Sequence, residues 1–210
     1  DLSSAFTIPV NPANSINSGN TSGWFTAAIS GTVYTDEGIT PIGAGRTVRL
    51  LVGGVDSGLT STTDASGYFA ISGASVTTGD VLTVFLDNAS EDGVTVTKAV
   101  SNDFQGFNIY QNKLIVRSEN GATITNANLD TANNADSDII AIYNDGALPT
   151  VNSGKELIIW TGVTFDGSSI LTINGDLEVQ TGSTFGTTAD MYISGNFVNS
   201  GTISGSGNIR

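Results

Sequence analysis

The chain has no cysteine and no histidine. Without cysteine there are no disulfides and no thiolate metal sites. Without histidine there are no Ser-His or Cys-His nucleophile pairs, no imidazole ligands and no neutral-pH proton shuttle of the usual kind. Basic residues are scarce, 7 Lys and Arg against 20 Asp and Glu, for a formal net charge of −13. Phosphate backbones and anionic membrane surfaces would be repelled, so no nucleic acid is expected as a partner. No apolar run approaches the ~18 residues of a bilayer-crossing helix, and no membrane insertion is expected. A basic, apolar leader is also missing, so Asp1 is expected to be a mature N-terminus if the chain is exported.

What is present is glycine, 26 residues of it, with abundant Ser, Thr and Asn and an apolar share of 39%, enough for a core. Acidic, lysine-poor and Ser/Thr/Asn/Gly-rich composition is common among secreted and cell-surface β proteins, and an extracellular location is expected. Apolar residues alternate or fall in short runs broken by Gly, Asn, Asp and Ser, so the fold class is all-β. A length of 210 residues suits two small domains behind an N-terminal arm.

That arm spans residues 1–23: Phe6, Ile8 and Val10 alternate as in one strand, and a polar Asn-Ser-Gly stretch then reads as a tether. Residues 24–111 hold about six or seven short strands at 8–12-residue spacing, the pattern of a β-sandwich. Three features stand out there: Gly31-Thr32-Val33, the approach Pro41-Ile42-Gly43-Ala44-Gly45, and the turn Thr63-Asp64-x-x-Gly67-x-Phe69. In that turn Asp64 can accept from nearby amides, Gly67 can take the left-handed conformation, and Phe69 can return to the core. On these residues the stretch from about 27 to 110 resembles the carboxypeptidase-regulatory-like and CnaB-like (transthyretin-like) modules of bacterial surface proteins. The resemblance implies an Ig-like/transthyretin-like sandwich.

The remainder, residues 112–210, is expected to form a second β domain. Thr161-Gly162-Val163-Thr164-Phe165 returns as Thr181-Gly182-Ser183-Thr184-Phe185 and Ser200-Gly201-Thr202-Ile203, with a weaker copy at Asn120-Gly121-Ala122-Thr123-Ile124. Interleaved with it, Leu171 to Leu177 matches Met191 to Phe197 at the same spacing of 20. Such a repeat fits the rungs of a short β-solenoid and equally a second small sandwich of hairpins. Between the halves, residues 130–138 read as a polar, acidic loop and 139–145 as a buried strand.

That loop carries the strongest acidic group, Asp130, Asn133, Asn134, Asp136 and Asp138. Oxygen ligands on a loop are what Ca2+ prefers, and calcium is the candidate cofactor; the plain alternative is a solvated loop. No catalytic residues are expected. Two carboxylates suffice for glycoside hydrolysis, but Asp166, Asp176, Glu178 and Asp190 are spread along the repeats.

An isolated apolar strand at one end and a repetitive β stack at the other suggest subunit contacts through Phe6, Ile8, Val10 and Trp24 on one side and Ile203 and Ile209 on the other. An unpaired rung exposes backbone donors and acceptors, and a strand donated by a second copy would satisfy them. The expected function is a structural extracellular protein, a filament, sheath or surface-layer subunit that polymerises with copies of itself. The alternative is an adhesin or carbohydrate-binding fragment of a larger surface protein, which implies glycan contact.

Overall fold

The computed structural model describes residues 27–100, 103–119, 121–144, 149–167 and 171–210. Phe6, Ile8, Val10 and Trp24 lie outside the described residues. The chain is all-β apart from two short helices.

The first half contributes β1 (Ala27–Tyr34), β2 (Thr47–Val52), β3 (Val55–Thr62), β4 (Tyr68–Ala74), β5 (Val81–Leu86), β6 (Val94–Lys98), β7 (Asp103–Phe104) and β8 (Ile109–Tyr110). β4 pairs antiparallel with β1, while β7 and β8 run parallel to β1. The facing layer is antiparallel, in the order β3-β2-β5-β6. Alternation drives the two layers together: Ile29, Val33, Phe69 and Ile71 meet Val48, Leu50, Leu82, Val84 and Leu86 in one core. The turn into β4 forms as its residues imply. Asp64 Oδ1 accepts from the Ser66 and Tyr68 backbone N–H groups at 2.8 and 3.0 Å, Gly67 has φ +74, and Phe69 is buried.

The second half opens with β9 (Lys113–Val116), β10 (Ile124–Thr125), α1 (Asn126–Ala132), α2 (Ser137–Ile140), β11 (Tyr143–Asn144) and β12 (Thr150–Val151). Then come β13 (Glu156–Ile159), β14 (Thr164–Gly167) and β15 (Thr172–Ile173), followed by β16 (Asp176–Val179), β17 (Thr184–Thr187) and β18 (Tyr192–Ile193), and last β19 (Phe197–Asn199) and β20 (Thr202–Gly205). Strands one repeat apart pair in parallel, with Phe165 beside Phe185, Phe185 beside Ile203 and Leu177 beside Phe197. This is a solenoid-like stack, so of the two arrangements the repeat allows it is rungs that form from β13 onward, while just before them β11 and β12 pair antiparallel. A hairpin sandwich would have made sequential neighbours antiparallel.

β9 pairs in parallel with β6, and β13, β16 and β19 follow, so one eight-stranded sheet, β3-β2-β5-β6-β9-β13-β16-β19, crosses the point near residue 111 where the sequence divides. β5 is buried along its whole length because both its faces are covered. Leu82, Val84 and Leu86 face the two-layer core, and Val81 and Phe85 face the core that α1 and the rungs share.

Residues 130–138 differ from the loop reading, since they include the end of α1 and the start of α2. The expected strand at 139–145 begins with α2 and keeps only β11 as strand. Local capping explains this: Thr125 and Asn128 form a reciprocal capping box, and the Asp136 carboxylate caps α2 at the Asp138 N–H. Leu129, Ala132 and Ile139 then turn into the core.

Candidate assembly surface

The rungs are built around inward ladders. Ile124, Phe165, Phe185 and Ile203 stack on one side, with the Phe165 and Phe185 ring centroids 5.3 Å apart. Leu114, Leu157, Leu177 and Phe197 stack on another. The ladder residues of the middle rungs, Leu157, Phe165, Leu177 and Phe185, have neighbours above and below and are fully buried.

Among the described residues the rung of β19 and β20 is paired on one side. β19 and β20 each end their sheets, and residues 208–210 bond back to Met191 and Ile193. Phe197, where one ladder ends, is 39% exposed, and Val198, on the opposite face in register with Glu178, is 52% exposed, while Ile203 and Ile209 remain half-buried against the core. The structure thus places Ile203 beside Phe185 and Ile209 beside Met191, in the last of the described rungs. Phe197 and Val198 were not among the contact residues expected from sequence, although the match of Phe197 to Leu177 in the repeat was the signal for the former. Asp190 and Arg210 form an ion pair at 2.8 Å on this rim. Hydrogen bonds from the Asn208 side chain and backbone, with Arg210 adding its charge, hold the Asp190 carboxyl below the usual carboxylate range.

The acidic group between the halves is spent largely on local bonds. Asn133 Nδ2 donates to the Tyr143 carbonyl and its Oδ1 accepts from Ala135 N–H. Asn134 Oδ1 accepts from Asp136 N–H, Asp136 Oδ1 from Asp138 N–H, and Asp138 Oδ2 from Asn88 N–H. Asp130 sits apart on the exposed side of α1. Burial, with the charges of Asp136, Asp87 and Asp92, pushes the Asp138 carboxyl above its usual value. Among the described residues no three acidic groups are gathered about one point that would hold a metal ion. The carboxylates along the rungs are similarly separate: Asp176 accepts from Asn196 N–H, and Glu178 pairs with the Gln180 side chain.

The outer face of β1 and β4 carries a shallow groove of about 540 Å3. Its floor is Ser30, Thr32 and Ala70, and its walls include the exposed Tyr68 ring together with Asn108. Among the described residues no helix is long and apolar enough to cross a membrane. Comparison with protein-family models, curated proteins and solved structures finds no match for this chain.

Proposed function

We propose that this chain is a structural extracellular protein, a subunit of a filament, sheath or surface layer assembled head-to-tail by β-strand donation. The observation that carries this reading is the last rung, where the β19 and β20 edges are unpaired among the described residues and Phe197 and Val198 stand exposed beside them. Free edges of this kind recruit strands. The segment around Phe6, Ile8 and Val10 of a second copy has the two-residue alternation to cover them, with Pro9 confining its pairing to one side. A contact between two different surfaces of one molecule does not close on itself, so its repetition makes a fibre. Residues 27–110 would serve as a transthyretin-like spacer in that fibre, a reading supported by the two-layer core and the Asp64 turn.

Removing residues 1–12 is expected to abolish fibres in negative-stain micrographs while the circular dichroism of the folded chain persists. Fibres that survive the deletion would refute strand donation. A second reading, an adhesin, is favoured by the groove beside Tyr68, where an exposed ring and amide and hydroxyl groups suit a sugar. Binding on a glycan array that is lost in Tyr68→Ala would support it.

A further inference from the structure

Strand register sets out the groove on the outer face of β1 and β4. Pairing puts Tyr68 beside Thr32, Ala70 beside Ser30 and Ser72 beside Ala28, all of them lining the groove. No side chain on this floor except Tyr68 is larger than threonine, so the ring stands as a step at one end. It is 45% exposed, while Phe69 and Ile71 on the same strand turn the other way into the core. The opposite wall is the connection between β7 and β8, and several bonds fix it. Phe107 N–H donates to the Ser30 carbonyl at 2.8 Å, and Thr32 N–H donates to Asn108 Oδ1 at 3.0 Å. Gly31 permits this close approach, since a Cβ there would stand 2.3 Å from the Phe107 carbonyl oxygen. From beyond the end of β9, the Arg117 guanidinium donates to the Gly106 and Gln105 carbonyls and lies 4.9 Å from the centre of the buried Phe107 ring. Glu119 holds that guanidinium in turn, accepting from Nε at 2.7 Å. A wall fixed in this way loses little freedom when a ligand arrives.

None of the residues lining the groove is Asp, Glu, Lys or Arg, on a chain of net charge −13. An acidic glycan would find no cation to pair with there and would be repelled by the molecule as a whole. A neutral one needs no such partner. Serine and threonine hydroxyls and the carboxamides of Gln105 and Asn108 bring donors and acceptors together in the lining, and the Tyr68 ring offers an apolar face to sugar C–H groups. The floor runs along β1 from Ala28 to Thr32, about 13 Å at the rise of a strand, which is longer than a single sugar ring. We propose, resting on the adhesin reading given above, that this groove binds a neutral oligosaccharide, with one ring stacked on Tyr68 and the next laid over Ser30 and Ala70. The charge and the length of the groove thus name the class of glycan: uncharged, and a chain in place of a single sugar.

The test is isothermal titration calorimetry of the full chain against neutral hexasaccharides of glucose, xylose, mannose and N-acetylglucosamine, with a galacturonate hexamer and sialyllactose beside them. The expected result is binding to at least one neutral chain, with the same Kd at low and high salt, and no binding to the two acidic glycans. Tyr68→Ala should weaken it about tenfold. Ala70→Leu raises a side chain from an exposed position on the floor, away from the core, and should abolish binding while the circular dichroism of the folded chain persists. Binding of either acidic glycan, neutral binding undiminished in both variants, or no binding across the panel overturns the proposal. If a glycan array still gives a signal in any of those cases, the adhesin reading stands without this assignment of the groove; a blank array removes both.

Discussion

Glu91 receives both Nε and Nη2 of Arg46, at 2.9 and 2.6 Å, and this fork holds its carboxyl down at about 2 despite the opposing effect of burial. In an unfolded chain the same group would titrate at ~4.3. A value depressed by folding means that the pair contributes fully above that range and is lost as pH falls toward about 2. Glu91→Gln should therefore flatten the acid limb of stability between about pH 5 and about pH 2, read as the urea midpoint against pH. The slope should shrink without vanishing, because Asp64 and Asp190 are also held below their usual values by their hydrogen bonds. An acid limb unchanged in the variant would count against the fork. The Asp64 turn was legible from the sequence because everything it needs lies within six residues, and at Gly67 a Cβ would stand 2.6 Å from the Val33 carbonyl. The meeting of Arg117 with Phe107 and the Gly106 carbonyl was not legible. It depends on the pairing of β6 and β9, and such tertiary contacts leave no local period to read.

Among the elements, the rungs depend on the ladder that Phe165, Phe185 and Ile203 form. Phe185 is fully buried between two rungs, and Phe185→Ala should cost about 3–5 kcal/mol. The loss should be local in a stack whose rungs touch mainly their neighbours. Hydrogen exchange should rise across β17 and β20 and stay slow in β5; an equal rise in β5 would mean that the rungs cannot loosen separately. The repeat was visible in the sequence because a period of 20 residues aligns Thr-Gly turns and apolar positions at once. Helices α1 and α2 were hidden, at 7 and 4 residues too short to display a helical period. Their one local signal was the cap, Thr125 with Asn128 and then Asp136. The choice between rungs and hairpins was also beyond the sequence, since both place the same residues at the same spacing and differ only in strand direction.

For the whole molecule, charge opposes the head-to-tail assembly proposed above. Copies carrying a net −13 repel one another as they approach. Screening shortens that repulsion, with a Debye length falling from about 30 Å at 0.01 M salt to about 8 Å at 0.15 M. Fibre formation is expected to be faster and more complete at the higher salt, followed by light scattering and checked by microscopy. Inhibition by salt would point to an attractive ionic contact in place of apolar strand addition. The unbroken sheet from β3 to β19 was not foreseeable, because the sequence changes character near residue 111 while the hydrogen-bond ladder does not. Its β6 edge also gives the rungs a starting line. Parallel strands join distant residues and are slow to pair unaided, but β9 can zip onto an antiparallel template completed earlier in the chain, and each rung then becomes the template for the next. Folding would thus have a polarity, from the N-terminal layers toward Arg210, in step with the order in which a ribosome delivers them.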